Sequence, residues 1–249
     1  MDKPFEELDC RATDMGLLIL RRRRSAARRG EVVYEVKLDD AFLMSSLVDV
    51  SERALADLAL KALTQIGGQP ANLLVGGLGL GHTAEAALQW PDVSHLTVIE
   101  YLEAVIDWHR HRLVPASDAL IDDPRCRLVH DDFFRHVAMP PAAEAPRYDA
   151  ILVDIDHAPH ALLSETHAAF YHVTGLESVR AHLRRPGVFA LWSAAAPEDA
   201  FKEQLNAAFD EVALHPVSFF NPHLDERDTN WIALGLLTES DPSRARQAG

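Results

Sequence analysis

The stretch from Leu73 to Trp90 restricts the fold more than any other part of the chain. An apolar run of strand length, Leu73-Leu74-Val75, passes through Gly76-Gly77-Leu78-Gly79-Leu80-Gly81-His82-Thr83 into a helical segment from Ala84 to Trp90. A strand that feeds straight into a helix belongs to a sheet built by crossovers, because parallel neighbours cannot be joined by a tight turn. Gly77, Gly79 and Gly81 have G-x-G-x-G spacing. Glycine there lets the chain turn sharply and a ligand approach the backbone, and the next helix offers unbonded N–H groups in its first turn. Such a loop serves either a nucleotide site or a plain turn.

The alternation continues along the chain. Ser51 is expected to cap a helix carrying Leu55, Leu58, Leu60, Leu63 and Ile66, which Gly67-Gly68 ends. Leu96 to Ile99 reads as a second strand, followed by a helix from Leu102 to Leu113. Arg127-Leu128-Val129 is a short third strand. Ala150-Ile151-Leu152-Val153 is a fourth, apolar on both faces like a central parallel strand. A long helix is expected from Phe170 to Leu183, stopped by Pro186-Gly187, then a strand from Val188 to Trp192 and a helix from Pro197 to Phe209. Two last strands lie near Val212 to Val217 and Trp231 to Leu237. This pattern predicts an α/β fold with a doubly wound, mostly parallel, Rossmann-like sheet. Residues 15–48 alternate apolar and polar, which suggests two or three strands around a Ser25 to Gly30 turn. The expected division is a β-stranded region at 1–50, the main domain at 51–238 and a mobile polar tail at 239–249.

A chain of 249 residues, 48% apolar and 25% charged, can bury a core without disulfides or metals. Cys10 and Cys126 have no partner motif, which suits a reducing compartment. No run approaches the ~20 apolar residues of a membrane helix. Met1-Asp2-Lys3-Pro4 lacks the order of a secretion signal, so a cytoplasmic protein without a membrane partner is expected. The net charge of −14 disfavours nucleic acid as a partner. The run Arg21 to Arg24 with Arg28 and Arg29 reads as a phosphate or RNA contact or as a solvated hairpin, and the acidity of the remaining chain favours the hairpin.

Acids stand at successive strand ends, where open α/β sheets bind ligands. Glu100, 19 positions after Gly81, can accept both ribose hydroxyls with its two oxygens. In His130-Asp131-Asp132-Phe133, Asp132 is the expected acceptor for an adenine amine and Asp131 the spare, while an acid there also suits a helix N-cap. Asp154, Asp156 and His157 end the fourth strand, at the reacting end. Asp154 serves as clamp or proton acceptor and His157 as a base near neutral pH. Asp156, His157 and His160 form too small a cluster for a metal, and none is expected. His109 and His111 flank Arg110 on a helix that reads as solvated. Ser164 and Ser193 lack a nucleophile-elbow setting.

Together these segments resemble the spermidine synthases, the polyamine aminopropyltransferases, whose core fold is shared with class I S-adenosylmethionine methyltransferases. The likeness runs from about Val32 to Leu237. It is carried by Leu38-Asp39-Asp40, the Gly-rich loop, Val98-Ile99-Glu100, Val129 to Asp132, Tyr148 to Asp154 and Phe170-Tyr171. It implies a seven-stranded methyltransferase-like domain, a β-stranded appendage and a homodimer. It further implies a transferase that takes S-adenosylmethionine or its decarboxylated form as co-substrate and passes an aminopropyl group to an amine acceptor. In that role Glu100 holds the ribose, Asp132 the adenine, and Asp154 sits beside the sulfonium.

The chain departs from the family at three places. Leu80 stands where the family has the acid that meets the aminopropyl ammonium. Asp154-Ile155-Asp156-His157 replaces D-S-x-D-P, and Ser51-Glu52-Arg53-Ala54-Leu55 stands where a Tyr-His-Glu pattern is usual. An ammonium in a dry pocket needs a carboxylate, and losing one such bond costs about 1.5–3 kcal/mol. The alternatives are therefore a methyltransferase acting on a small molecule and a non-catalytic nucleoside-binding protein of the same fold. An NAD-dependent oxidoreductase is a further reading of the glycines; the acids at the third and fourth strand ends favour the sulfonium.

Overall fold

The computed structural model describes residues 5–25, 30–222 and 225–239. The expected turn with Arg28 and Arg29, and the tail from residue 240, lie outside the described residues. Four antiparallel strands, β1 (Phe5–Thr13), β2 (Gly16–Ser25), β3 (Glu31–Leu38) and β4 (Ala41–Ser45), form a first sheet in that order. The sequence pattern misses β1, whose charged residues hide a strand from any reading by hydrophobicity. The arginine run lies within β2 itself. Arg21 and Arg23, on one face, both donate to the buried Glu35 of β3, and Arg22, on the other face, donates to Glu6 of β1. Alternation along a strand thus gives the arginines partners in their own sheet.

The second sheet contains β5 (Asn72–Gly76), β6 (His95–Glu100), β7 (Cys126–His130), β8 (Tyr148–Val153), β9 (Leu183–Ser193), β10 (Glu211–Asn221) and β11 (Glu226–Leu237). Its order is β10-β11-β9-β8-β5-β6-β7. The five strands from β9 to β7 are parallel; β11 is antiparallel to β9 and to β10. This is the expected fold class. The chain moves outward from β5 through β6 to β7 and returns to β8 on the other side. That reversal opens a crevice at the carboxyl ends of β5 and β8.

Helices α1 (Val50–Gln65), α2 (His82–Leu88), α3 (Glu103–Arg110), α4 (Ser117–Ile121), α5 (Phe133–Ala138), α6 (Val173–Ala181) and α7 (Asp199–Ala208) cover the sheet. Three expectations need correction. Asp49, not Ser51, precedes α1; Ser51 is buried inside the first turn and donates to Glu52. The long helix is two pieces, a 3-10 segment Glu165–Tyr171 and α6, because His172 between them is extended. β9 starts at Leu183, before Pro186, and its ladder with β8 shifts register there, as a residue without an N–H demands.

One core cluster joins α1, α2 and α3 to Leu18, Leu20 and Val36 of the first sheet, so the two sheets share it. The other, rich in Phe133, Phe170, Phe189 and Phe209, lies under α5, α6 and α7. Polar ties reinforce the first: Trp108 Nε1 donates to Asp9 at 2.7 Å and Arg11 to Asp107 at 2.8 Å.

Candidate active site

The loop between β5 and α2 holds Gly77, Gly79 and Gly81 at φ of 91°, 49° and 91°. A Cβ on Gly77 would lie 2.1 Å from the backbone oxygen of Asp154, and one on Gly81 would lie 2.8 Å from Cε1 of His109. The glycines therefore serve both dihedral and packing. His109 corrects the sequence reading: it is fully buried beneath the loop, with Nε2 2.9 Å from the Gly79 carbonyl oxygen. Burial pushes its pKa down to about 4, so a neutral imidazole donates Nε2–H to that carbonyl.

A cavity of about 820 Å³ opens at the crevice and contains the loop, Glu100, Asp132, Asp154 and His157. Glu100 accepts from Leu78 N at 2.9 Å and from Leu102 N at 2.8 Å, and the N–H groups of Gly79 and Tyr101 also face it. Burial raises its pKa and these backbone donors oppose the rise. Asp132 lines the cavity and also caps α5, accepting from Arg135 N at 3.1 Å. Asp131 turns to Asp132 N at 2.9 Å and toward Arg135 at 3.7 Å, outside the cavity lining. Both sequence readings of this pair, ligand acceptor and helix cap, are compatible with one residue.

Asp154 follows β8 directly and accepts from Thr83 Oγ1 at 2.8 Å. The same hydroxyl lies 3.2 Å from the backbone oxygen of Glu52. Glu52 carries no signal of its own in the sequence, where its segment stands in place of the family's Tyr-His-Glu pattern. Its neighbours differ from that pattern, yet the carboxylate reaches the cavity from the first turn of α1. It accepts from Ser51 Oγ at 2.7 Å, which in turn accepts from Asn230 at 2.8 Å. Burial, and for Glu52 also the charge of Asp154, pushes the two carboxyls up to about 7 for Glu52 and about 6 for Asp154.

Asp156 is differently placed. Its side chain is fully buried and accepts from Leu163 N at 2.7 Å, Tyr171 Oη at 2.8 Å and His167 Nδ1 at 2.9 Å. It ties down residues 163–171 and has little left to offer a ligand. His157 is exposed at the cavity wall, its carbonyl accepting from Ala194 N at 2.7 Å. His160 lies 3.8 Å from Glu198, outside the cavity lining. His167 lines the cavity and has no local sequence signal; only the fold brings it to Asp156. His82 opens α2 with both ring nitrogens buried and without a hydrogen-bond partner among the described residues, its Nδ1 3.7 Å from Asp49, and burial lowers its pKa.

The chain matches the model of the spermine/spermidine synthase domain over residues 49–205. It is 27% identical over 180 residues to a polyamine aminopropyltransferase of Mycobacterium tuberculosis, covering 70% of this chain and 32% of that protein. A polyamine aminopropyltransferase of Prochlorococcus marinus is 33% identical over 132 residues, covering 53% of this chain and 42% of the relative. The chain thus spans about a third of the first relative's length and less than half of the second's. Among solved structures, a spermidine synthase in complex with the transition state analogue AdoDATO superposes with a TM-score of 0.71 at 17% identity, covering 97% of this chain and 78% of the other. Spermidine synthase from Thermotoga maritima gives 0.68 at 15% identity, covering 97% and 77%. These two superpositions establish the fold.

Proposed function

Since the chain belongs to the spermine/spermidine synthase family, we propose that this cavity binds decarboxylated S-adenosylmethionine and transfers its aminopropyl group to an amine. The charge of the lining carries the reading. Asp14, Glu52, Glu100, Asp132, Asp154, Asp156 and Asp228 line the cavity, and no Lys or Arg does so among the described residues. Both reactants of an aminopropyl transfer are cations, and such a lining favours cations. S-adenosylmethionine itself carries a carboxylate that would meet no cationic side chain there, which supports the decarboxylated form over the methyl donor. Leu80 removes one acid, but Glu52 adds a carboxylate on the wall formed with Thr83 and Asp154.

In this reading Glu100 accepts the ribose hydroxyls, Asp132 accepts the adenine amine, and the Gly77 to Gly81 backbone lets the nucleoside approach closely. The bound sulfonium supplies an electrophilic carbon and a thioether leaving group. Glu52 and Asp154 hold the acceptor ammonium. Asp154 first takes a proton from that ammonium, and the freed nitrogen lone pair then bonds to the carbon while the carbon–sulfur electrons stay on sulfur, leaving a secondary ammonium and a neutral thioether. A carboxylate with a pKa of about 6 is better matched to that task near neutral pH than an ordinary one. His157, exposed at the wall, passes the proton to solvent. Positioning and exclusion of water supply most of the remaining rate. A cytoplasmic location and a homodimer belong to the same proposal.

The test is turnover. Chain incubated with decarboxylated S-adenosylmethionine and a series of diamines is expected to release 5′-methylthioadenosine only when an amine is present. Binding without release for any amine would support the non-catalytic reading. Transfer of a labelled methyl group from S-adenosylmethionine would support the methyltransferase.

A further inference from the structure

His167 is held at the cavity by an arrangement that settles its tautomer. Asp156, fully buried, places both carboxylate oxygens within 3.0 Å of His167 Nδ1. The same oxygens accept from Leu163 N and Tyr171 Oη, so the carboxylate is fixed by three donors from one segment. A carboxylate accepts and does not donate, so Nδ1 of a neutral His167 carries the hydrogen and Nε2 is left as an acceptor. The ring cannot swing freely. It lies against Phe134 with centroids 4.0 Å apart and planes 30° apart, and Phe134 is packed edge-on against Phe133 and Phe170. Nε2 has no hydrogen-bond partner among the described residues.

His167, Phe134 and Asp132 line the same part of the cavity and also the smaller groove of about 390 Å³ beside it. Asp132 uses Oδ1 for the cap of α5, and its other oxygen has no partner among the described residues. This wall therefore offers two side-chain acceptors, Asp132 and His167; the Ser164 and Thr166 hydroxyls beside them, 2.8 Å apart, can donate or accept and so do not discriminate. A 6-amino purine brings two hydrogens on its exocyclic nitrogen, whereas a 6-oxo purine brings an acceptor oxygen to the same place. Buried acceptors reject a ligand group that cannot donate to them.

We propose that His167, kept in one tautomer by Asp156, selects a 6-amino purine over a 6-oxo purine at the Asp132 end of the cavity. His167 is the specificity-determining residue and Asp156 its positioning residue. The inference rests on the nucleoside reading made above.

Calorimetric titration of the full chain with 5′-methylthioadenosine and with 5′-methylthioinosine tests it. The wild type is expected to prefer the amino nucleoside by at least about tenfold. In Asp156→Asn the amide can donate to Nδ1, which moves the imidazole hydrogen to Nε2. The preference is then expected to fall at least about tenfold, mainly through tighter binding of the oxo nucleoside. Tyr171→Phe removes a donor from the same carboxylate without changing the tautomer, and its preference should stay within about threefold of wild type. His167→Ala is expected to lose preference even if Asp156→Asn does not fold. An unchanged preference in His167→Ala, or an equal change in both affinities in a folded Asp156→Asn, would overturn this inference alone. Failure of the wild type to bind either nucleoside would overturn the nucleoside reading and this inference with it.

Discussion

Glu52 and Asp154 decide how the stability of the ligand-free protein responds to pH, through burial and, for Glu52, the charge of Asp154. Unfolded, the two acids titrate near 4.5 and 3.8; folded, they titrate at about 7 and about 6. The native state therefore binds more protons between those limits, and stability falls as pH rises through that window. Below the unfolded values the contribution is fully present; above about pH 7 it is gone. Glu52→Gln is expected to stabilise the empty protein by roughly 2–3 kcal/mol above that pH and to change little in acid. Chemical denaturation at about pH 5 and about pH 8 checks this, and parallel losses in wild type and variant would contradict it. The same variant should weaken amine binding about ten- to a hundredfold, since an ammonium loses its charged partner. Asp154→Asn keeps an acceptor for Thr83 but loses the base. Its turnover should drop about 10²- to 10⁴-fold while the affinity for 5′-methylthioadenosine stays within about threefold. Equal losses in both would make Asp154 a binding residue only. Glu100, Asp132 and Asp154 were legible because strand ends in a doubly wound sheet are predictable places. Glu52 and His167 were not, because only tertiary packing brings α1 and the segment after β8 to the same cavity.

The turn from β5 into α2 is the element on which the site depends. Gly77→Ala puts a methyl group against the Asp154 backbone at a positive φ. It should destabilise the fold by at least about 2 kcal/mol and abolish nucleoside binding. Gly67→Ala has the same sign of φ but open space around it, so only the backbone cost of about 1 kcal/mol is expected, with binding retained. Similar losses from the two substitutions, measured by urea denaturation, would show that the packing against Asp154 is unimportant. Strands β5, β6 and β8 could be read directly from the sequence because their apolar runs are continuous and glycine or polar residues bound them. β1 could not, since its partners Arg21 to Arg23 make its acidic residues useful only after pairing. The break at His172 was equally hidden: Asp156 determines where residues 163–171 lie, and it is distant from that break in sequence.

On the scale of the whole molecule, the first sheet is a wall of the site as well as an appendage. The expected boundary at residue 50 falls at the first residue of α1, and Leu18, Leu20 and Val36 sit in the core shared with that helix. Tyr101, after β6, donates to Asp14 in the turn between β1 and β2, and both line the cavity. Tyr101→Phe cuts that link and should weaken nucleoside binding about three- to tenfold with an unchanged melting temperature. An unaltered affinity would mean that the hairpin does not close over the ligand. The central claim concerns charge, and it is tested most directly by titrating the chain calorimetrically with decarboxylated S-adenosylmethionine and with S-adenosylmethionine in the same buffer. An acidic cavity without cationic side chains predicts at least about tenfold tighter binding of the decarboxylated form. Tighter binding of the carboxylated form would contradict it.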